Sequence, residues 1–258
     1  TVAQISALIT NLRQGEIDKY SIGSILGAIA PRENSVDVAR RIGEVAKGLP
    51  ETRQARKEQE AHFKKLKQQG EFSRSIIRCA GSSAFVVDEF GPKETAKYLI
   101  LTNTHVAGTK KYVTRRATGR RLINQAEVLI RHQDVDTDTE DVAMLAIEKT
   151  EVEKDLGAGE KLVRINMTPD FKEGELATLV SGAKNTISTG HLISLGNRVI
   201  LLGAKSKGGD SGSPYLIKTK TGFSAVAVHA RQGPIGMLLS PQVQVPDGEN
   251  SSPFIIVT

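Results

Sequence analysis

Two hydrophobic rhythms divide this chain. Over the first fifty residues apolar side chains recur every three or four positions: Ile5, Leu8, Ile9 and Leu12, then Ile22, Ile25, Leu26 and Ile29 up to Pro31, then Val38, Ile42 and Val45 before Gly48 and Pro50. That spacing predicts three short amphipathic helices, the third capped by Asn34 or Ser35. The next stretch, ETRQARKEQEAHFKKLKQQG, is dense in charge and poor in apolar positions. It predicts a solvated helical connector that ends at Gly70. From about Ser75 the rhythm becomes that of strands: SIIRCAGSSAFVV, KYLILTN, AEVLIRH, DVAMLAI, LATLVSG, HLISL, RVILLG, PYLIK and FSAVAVHA are short and rich in β-branched residues. Turn signals at 89–92, 157–159 and 221–222 separate many of them,. A series of short strands without internal repeat or low-complexity tract predicts a mainly β domain, a sandwich or barrels. The expected organisation is a small helical segment over 1–50, a charged connector over 51–72 and a β domain over 73–258.

A chain of 258 residues holds one large domain or two smaller ones,. No apolar run approaches the length of a membrane span. The N-terminal stretch lacks both a basic start and a continuous apolar core, so no secretory signal is read there,. Cys79 is alone, which removes an internal disulfide and suits a reducing compartment, so a cytoplasmic, intracellular setting is expected,. The net charge of +6 allows an acidic partner without requiring one,. Four tyrosines and no tryptophan leave few platforms for stacking on single-stranded nucleic acid,. There is no Cys pair, no His-Glu-x-x-His and no phosphate-binding glycine loop, so neither a metal nor a cofactor is expected,.

The stretch KSKGGDSGSPYLI, Lys205 to Ile217, sets two glycines, an acid, a serine, a glycine and a second serine before Pro214 and an apolar strand. Alone it reads equally as an ordinary glycine-rich turn. If it holds a nucleophile, the hydroxyl needs a base within hydrogen-bond reach and a third group to orient that base. Of the five histidines, His62 falls in the charged helix, and His132 and His191 fall within or beside strands with nothing special around them. His105 differs: in YLILTNTHVAG a buried strand runs into a small polar turn and delivers an imidazole at its end. Asp134, Asp136 and Asp138 read as solvated loop residues, whereas Asp141 opens the apolar run VAMLAI at the edge of a core. A carboxylate buried there can hold an imidazole in one tautomer.

Together, GSSAFVV, KYLILTNTHV, DVAMLAI and GGDSGSP follow one another with His105, Asp141 and Ser211 spaced by 36 and 70 residues. In that order they resemble the chymotrypsin-like serine proteases, in particular the HtrA, glutamyl-endopeptidase and viral 3C-like branch. The resemblance covers about Ser75 to Ala230 and includes ISTGHLISL. It implies two six-stranded antiparallel barrels, one over about 73–155 and one over about 156–258, with the site in the crevice between them. It also implies His105 as general base, Asp141 as its orienter, Ser211 as nucleophile, and the Gly209 and Ser211 amides as oxyanion hole. Gly208 and Gly209 can take the backbone angles that aim two amides at one point. Gly212 is expected to let a substrate backbone pass close by, and Asp210 reads as structural. The implied activity is a serine endopeptidase acting on a protein or peptide substrate. About 28 residues follow Ala230, so no HtrA-type PDZ module or chaperone role is expected.

His229 falls eighteen residues past Ser211, where the resemblance implies a wall of the substrate pocket, and Lys205 falls near the pocket floor. An imidazole there favours Glu or Gln before the scissile bond, with Asp as a further acceptor; the alternative is a histidine that only packs at a strand end. The run KKYVTRRATGRR reads as a solvated hairpin or as an attractor for nucleic acid or an acidic partner,. The N-terminal helices either dock on the barrels or recruit a partner protein. Two settings fit, processing of a viral polyprotein or bacterial cytosolic proteolysis. A protein of another class also fits: a catalytically silent scaffold binding through its basic face or its helices.

Overall fold

A computed structural model describes residues 40, 42, 52–107, 112–116, 121–132, 141–156, 160–168, 170–195, 198–231 and 235–238. The helices expected before residue 50 lie outside these, apart from Arg40 and Ile42. Ile42 is buried among Ile193, Leu195, Ile200, Leu202 and Ile235.

The β domain is two barrels. Strands β1 (Ile76–Cys79), β2 (Ser82–Phe90), β3 (Lys97–Thr102), β4 (Tyr112–Arg116), β5 (Arg121–His132) and β6 (Val142–Glu148) close in the order β1-β2-β3-β6-β5-β4, every pairing antiparallel. The second sheet contains β7 (Asn166–Met167), β8 (Leu176–Val180), β9 (Ile187–Leu195), β10 (Arg198–Leu202), β11 (Pro214–Thr219), β12 (Gly222–Arg231) and β13 (Ile235–Leu238). Its order is β11-β8-β9-β10-β13-β12-β7, and a further β11–β12 pairing closes six of the seven into a ring. The extra strand, β7, pairs parallel with β12 at Ser224 and Ala225 and is not one of the six that close. Closure leaves few edges to protect.

Both faces of the first barrel's wall are apolar, which explains unbroken runs such as VAMLAI. Val142, Met144 and Ala146 of β6 face a core shared with Val180, Ile187, Leu216 and Val228 of the second barrel. Ala143, Leu145 and Ile147 face the opposite way, onto Val152 and Leu156 of helix α3 (Lys149–Leu156). The interior of the second barrel is a separate cluster around Tyr215, Leu179, Leu201 and Val226.

The stretch SIIRCAGSSAFVV is two strands, not one. Cys79 pairs with Ser82 across a two-residue turn in which Ala80 (φ 45°) and Gly81 (φ 88°) are both left-handed, the type I′ geometry that matches strand twist,. The basic run forms β4 and the start of β5, which pair as a hairpin; its side chains lie outside the described ones.

Helix α1 (Thr52–Gln68) is the expected charged helix, but it is docked on one face instead of fully solvated. Gln59, Phe63, Leu66 and Lys67 recur at helical spacing along the covered stripe,. Phe63 is fully buried, stacked on Phe72 at 5.8 Å and tilted against Phe223 at 4.8 Å. Gln59 donates to the Leu176 carbonyl at 3.3 Å and the Thr178 hydroxyl at 3.2 Å. One aromatic ring and a few long polar side chains suffice to seat a helix whose outer face is almost wholly charged.

Candidate active site

The apolar strand β3 ends at Thr102, and one turn of helix, α2 (Thr104–Ala107), follows it. The Asn103 carbonyl accepts from the amides of Val106 (3.1 Å) and Ala107 (2.8 Å), which closes the turn. Side chains tie the turn to the start of β6: Asn103 donates to the Asp141 carbonyl (2.6 Å) and Thr104 to the Val142 carbonyl (2.9 Å). This clamp sets His105 against Asp141. The Asp141 Oδ1 accepts from the His105 amide at 3.0 Å, and Oδ2 bonds the ring Nδ1. Asp141 is buried, while the His105 side chain is 34% exposed. A carboxylate on Nδ1 keeps the proton on that nitrogen and leaves Nε2 as the basic atom on the open side.

The glycine–serine stretch is a built turn. The Asp210 amide donates to the Lys207 carbonyl at 3.0 Å across Gly208 and Gly209, and Gly209 carries φ +93°, the type II pattern,. The Asp210 carboxylate folds back under it and accepts from the Lys207 amide at 2.7 Å. Asp210 is fully buried, in keeping with a structural part. Ser211 is half-buried at the crest. Among the described residues, neither the Gly209 nor the Ser211 amide meets an acceptor. Two uncommitted donors with one residue between them can bind an oxyanion.

What joins this turn to the histidine is Ser83, a residue the sequence reading did not single out. Its amide donates to the Ser211 carbonyl at 2.8 Å, and its own carbonyl accepts from Thr102 Oγ1 at 2.8 Å. The glycine–serine turn is therefore stitched to the strand that ends three residues before His105. Gly212 lies in the seam. It has φ +79°, and a Cβ there would stand 2.0 Å from the Ser83 carbonyl oxygen and 2.5 Å from Thr102 Oγ1. The glycine is thus demanded by barrel-to-barrel packing, where passage of substrate backbone had been the expected reason. The only sequence signal for Ser83 was its place in GSSAF, beside a hairpin turn.

His229 lies on β12, and its main chain completes the turn: Gly212 donates to the His229 carbonyl (2.9 Å) and the His229 amide to the Ser213 carbonyl (2.8 Å). Its ring is 1% exposed and points into the second barrel. Nδ1 lies 2.8 Å from the Tyr215 hydroxyl, and the ring N–H bonds the Ile235 carbonyl. Burial pushes the imidazole down to about 4; the Ile235 carbonyl opposes the fall and the nearby His105 adds to it,. Burial first, and Asp210 second, push the Tyr215 phenol well above its ordinary value. The phenol therefore keeps its proton and donates it to Nδ1. Lys205 is exposed, with its amide on Ser188 Oγ at 2.7 Å.

The structure thus brings His105 and Asp141 into direct contact, and ties the Ser211 main chain, through Ser83 and Thr102, to the strand that precedes His105. It places the His229 ring within the barrel and Lys205 at the surface. His191 is buried on β9 with Nδ1 2.9 Å from the Gly174 carbonyl. Among the described residues no group of three His, Cys, Asp or Glu side chains converges as a metal site, and no helix is long and apolar enough to cross a membrane.

No family model matches the chain, and no curated protein matches it. Among solved structures it is similar to a serine protease of a human pathogenic astrovirus, at 15% identity over 64% of this chain and 88% of that one, with a TM-score of 0.42. It is also similar to kallikrein-related peptidase 10, at 13% identity over 64% of this chain and 90% of that one, with a TM-score of 0.43.

Proposed function

We propose that this protein is a chymotrypsin-like serine endopeptidase, with Ser211 as nucleophile, His105 as general base and acid, and Asp141 as its orienter. The observation that carries this reading is the two-point hold of Asp141 on His105, on the ring and on the amide; beside it stands a turn whose Gly209 and Ser211 amides meet no acceptor among the described residues. In the first half-reaction Ser211 Oγ bonds to the peptide carbonyl carbon as its proton passes to His105 Nε2. The negative oxygen that results is held by the Gly209 and Ser211 amides. His105 then protonates the amine, the C–N bond breaks, and an ester remains on Ser211. In the second half, water attacks that ester, again losing its proton to His105, and Ser211 leaves as a hydroxyl.

For specificity we infer Gln or Glu before the scissile bond, with Asp as a weaker acceptor. The reading rests on the place of His229 on the strand beside the nucleophile turn. An imidazole kept neutral by burial offers an N–H without a charge, which suits the Gln amide oxygen better than a carboxylate,. To serve, that N–H must leave the Ile235 carbonyl for the substrate. The setting proposed is intracellular, in polyprotein processing or cytosolic proteolysis. The single thiol, Cys79, is buried and pushed up to about 12, so it stays a protonated core residue,. The organisation proposed is a helical segment and docked helix ahead of the two barrels.

Incubating wild type and Ser211→Ala with a proteome-derived peptide library, and sequencing the products by mass spectrometry, tests both levels. The endopeptidase reading expects cuts that vanish in Ser211→Ala. The pocket reading expects those cuts after Gln or Glu, and cuts mainly after Arg or Leu would overturn it alone.

A further inference from the structure

The nucleophile turn is braced by a helix that lies outside the barrels. Lys67, on the docked face of α1, donates to two carbonyls of the loop between β8 and β9, Ser181 at 2.7 Å and Lys184 at 2.9 Å. Hydrogen bonds from an ammonium are the stronger kind. The loop is tight: the Ser181 amide donates to the Thr186 carbonyl at 3.0 Å, and the Lys184 amide to Ser181 Oγ at 3.1 Å. Its other side leans on Ser83, whose hydroxyl accepts from the amides of Gly182 (2.9 Å) and Ala183 (3.2 Å) and lies 3.2 Å from Ser181 Oγ. Ser83 in turn holds the Ser211 carbonyl through its amide. The same loop touches the oxyanion side directly, since Lys184 Cε lies 2.8 Å from where a Cβ on Gly209 would stand.

A second feature points the same way. The Asp210 carboxylate is fully buried, and among the described residues its Oδ1 has no hydrogen-bond partner. Its charge reaches Lys67: burial lowers the pKa of that ammonium, and Asp210 works against the fall. Lys67 is thus held by two carbonyls on the loop and attracted by the acid under the turn.

We propose that Lys67 is a positioning residue for the nucleophile turn, and that α1 thereby couples the segment before the barrels to the oxyanion hole. By fixing the Ser181 and Lys184 carbonyls it presses the 181–186 loop onto Ser83 and Gly209, and so fixes the Gly209 and Ser211 amides. A partner or chain segment that lifts α1 away would loosen the turn and lower turnover without touching the triad. The catalytic consequence rests on the endopeptidase reading; the mechanical coupling does not.

The test compares the full chain with Lys67→Met and Lys67→Arg, using hydrogen–deuterium exchange, steady-state kinetics and inhibition by a peptide aldehyde. In Lys67→Met, exchange in peptides covering 181–186 and 207–213 is expected to rise about tenfold or more, with β3 and β6 unchanged. Turnover should fall about tenfold to a hundredfold, with KM within about threefold, and the aldehyde, which needs the oxyanion hole, should weaken in parallel. Lys67→Arg should recover most of each effect. If Lys67→Met does not fold, Lys67→Gln gives the same readouts. The proposal is overturned if 181–186 loosens while 207–213 and turnover stay as in wild type. It is equally overturned if exchange rises throughout both barrels and Lys67→Arg restores nothing. If wild type cleaves no peptide, yet 207–213 loosens selectively in Lys67→Met, the coupling stands and the endopeptidase reading falls.

Discussion

Acidification should strip this fold of stability through one buried imidazole, His229. Its ring is sealed in the second barrel between the Tyr215 hydroxyl and the Ile235 carbonyl, and its pKa falls from an ordinary 6.5 to about 4. The depressed value belongs to the folded state, so between those two pH values the unfolded chain takes up a proton that the folded chain refuses. Stability therefore rises with pH across that window. The contribution is fully present above pH 6.5, is lost as pH falls towards 4, and stops changing below 4, where both states are protonated. Integrating that difference gives a loss of about 3 kcal/mol between pH 7 and pH 4. Other groups titrate in the same range, so the measurement is differential: urea unfolding of wild type and His229→Gln at pH 7 and at pH 4. His229→Gln removes the titration, and its pH-induced loss should be about 3 kcal/mol smaller than that of wild type. An equal loss in the two proteins would refute the burial reasoning, because it would mean that the ring protonates as readily folded as unfolded.

Three further outcomes follow from the site and its supports. Asp141→Asn should keep the fold yet lower turnover about ten-thousand-fold, because an amide no longer dictates which ring nitrogen carries the proton; steady-state kinetics beside a circular dichroism spectrum checks this. Gly212→Ala puts a methyl 2.0 Å from the Ser83 carbonyl oxygen at φ +79°. It should cost on the order of 3 kcal/mol or more, read from urea melts, and abolish activity by parting the barrels at the seam. Phe63→Ala removes the fully buried ring that seats α1 and should cost about 3–5 kcal/mol in the same melts,.

The candidate residues were more legible in the sequence than the supports around them. His105 follows the apolar strand β3, while Asp141 and Ser211 precede the apolar strands β6 and β11, and each change between strand pattern and small polar residues is visible without coordinates. Supports that depend on chain pairing were not visible. Ser83 gives no local sign that its amide holds Ser211, because the contact crosses more than a hundred residues and two barrels. The β1–β2 turn is unmarked in the sequence because Ala80 is not a residue expected at positive φ,. Helix α3 carries no clear sequence signal, because only Val152 and Leu156 mark its buried side, too short a repeat to stand out,. The second barrel was correctly anticipated as β but carries β7 as an extra parallel strand, which two residues cannot announce. The contact of His229 with the Tyr215 hydroxyl was not legible either, because it depends on the pairing of β11 with β12.

The most direct measurement is intact-mass and peptide-mapping analysis after treatment with a fluorophosphonate probe. An activated hydroxyl facing a working imidazole should take up a single adduct, on the peptide carrying Ser211, and lose it in both Ser211→Ala and His105→Ala. An unlabelled wild-type chain, or an adduct that persists in those variants, would contradict the claim that these side chains act as one catalytic unit.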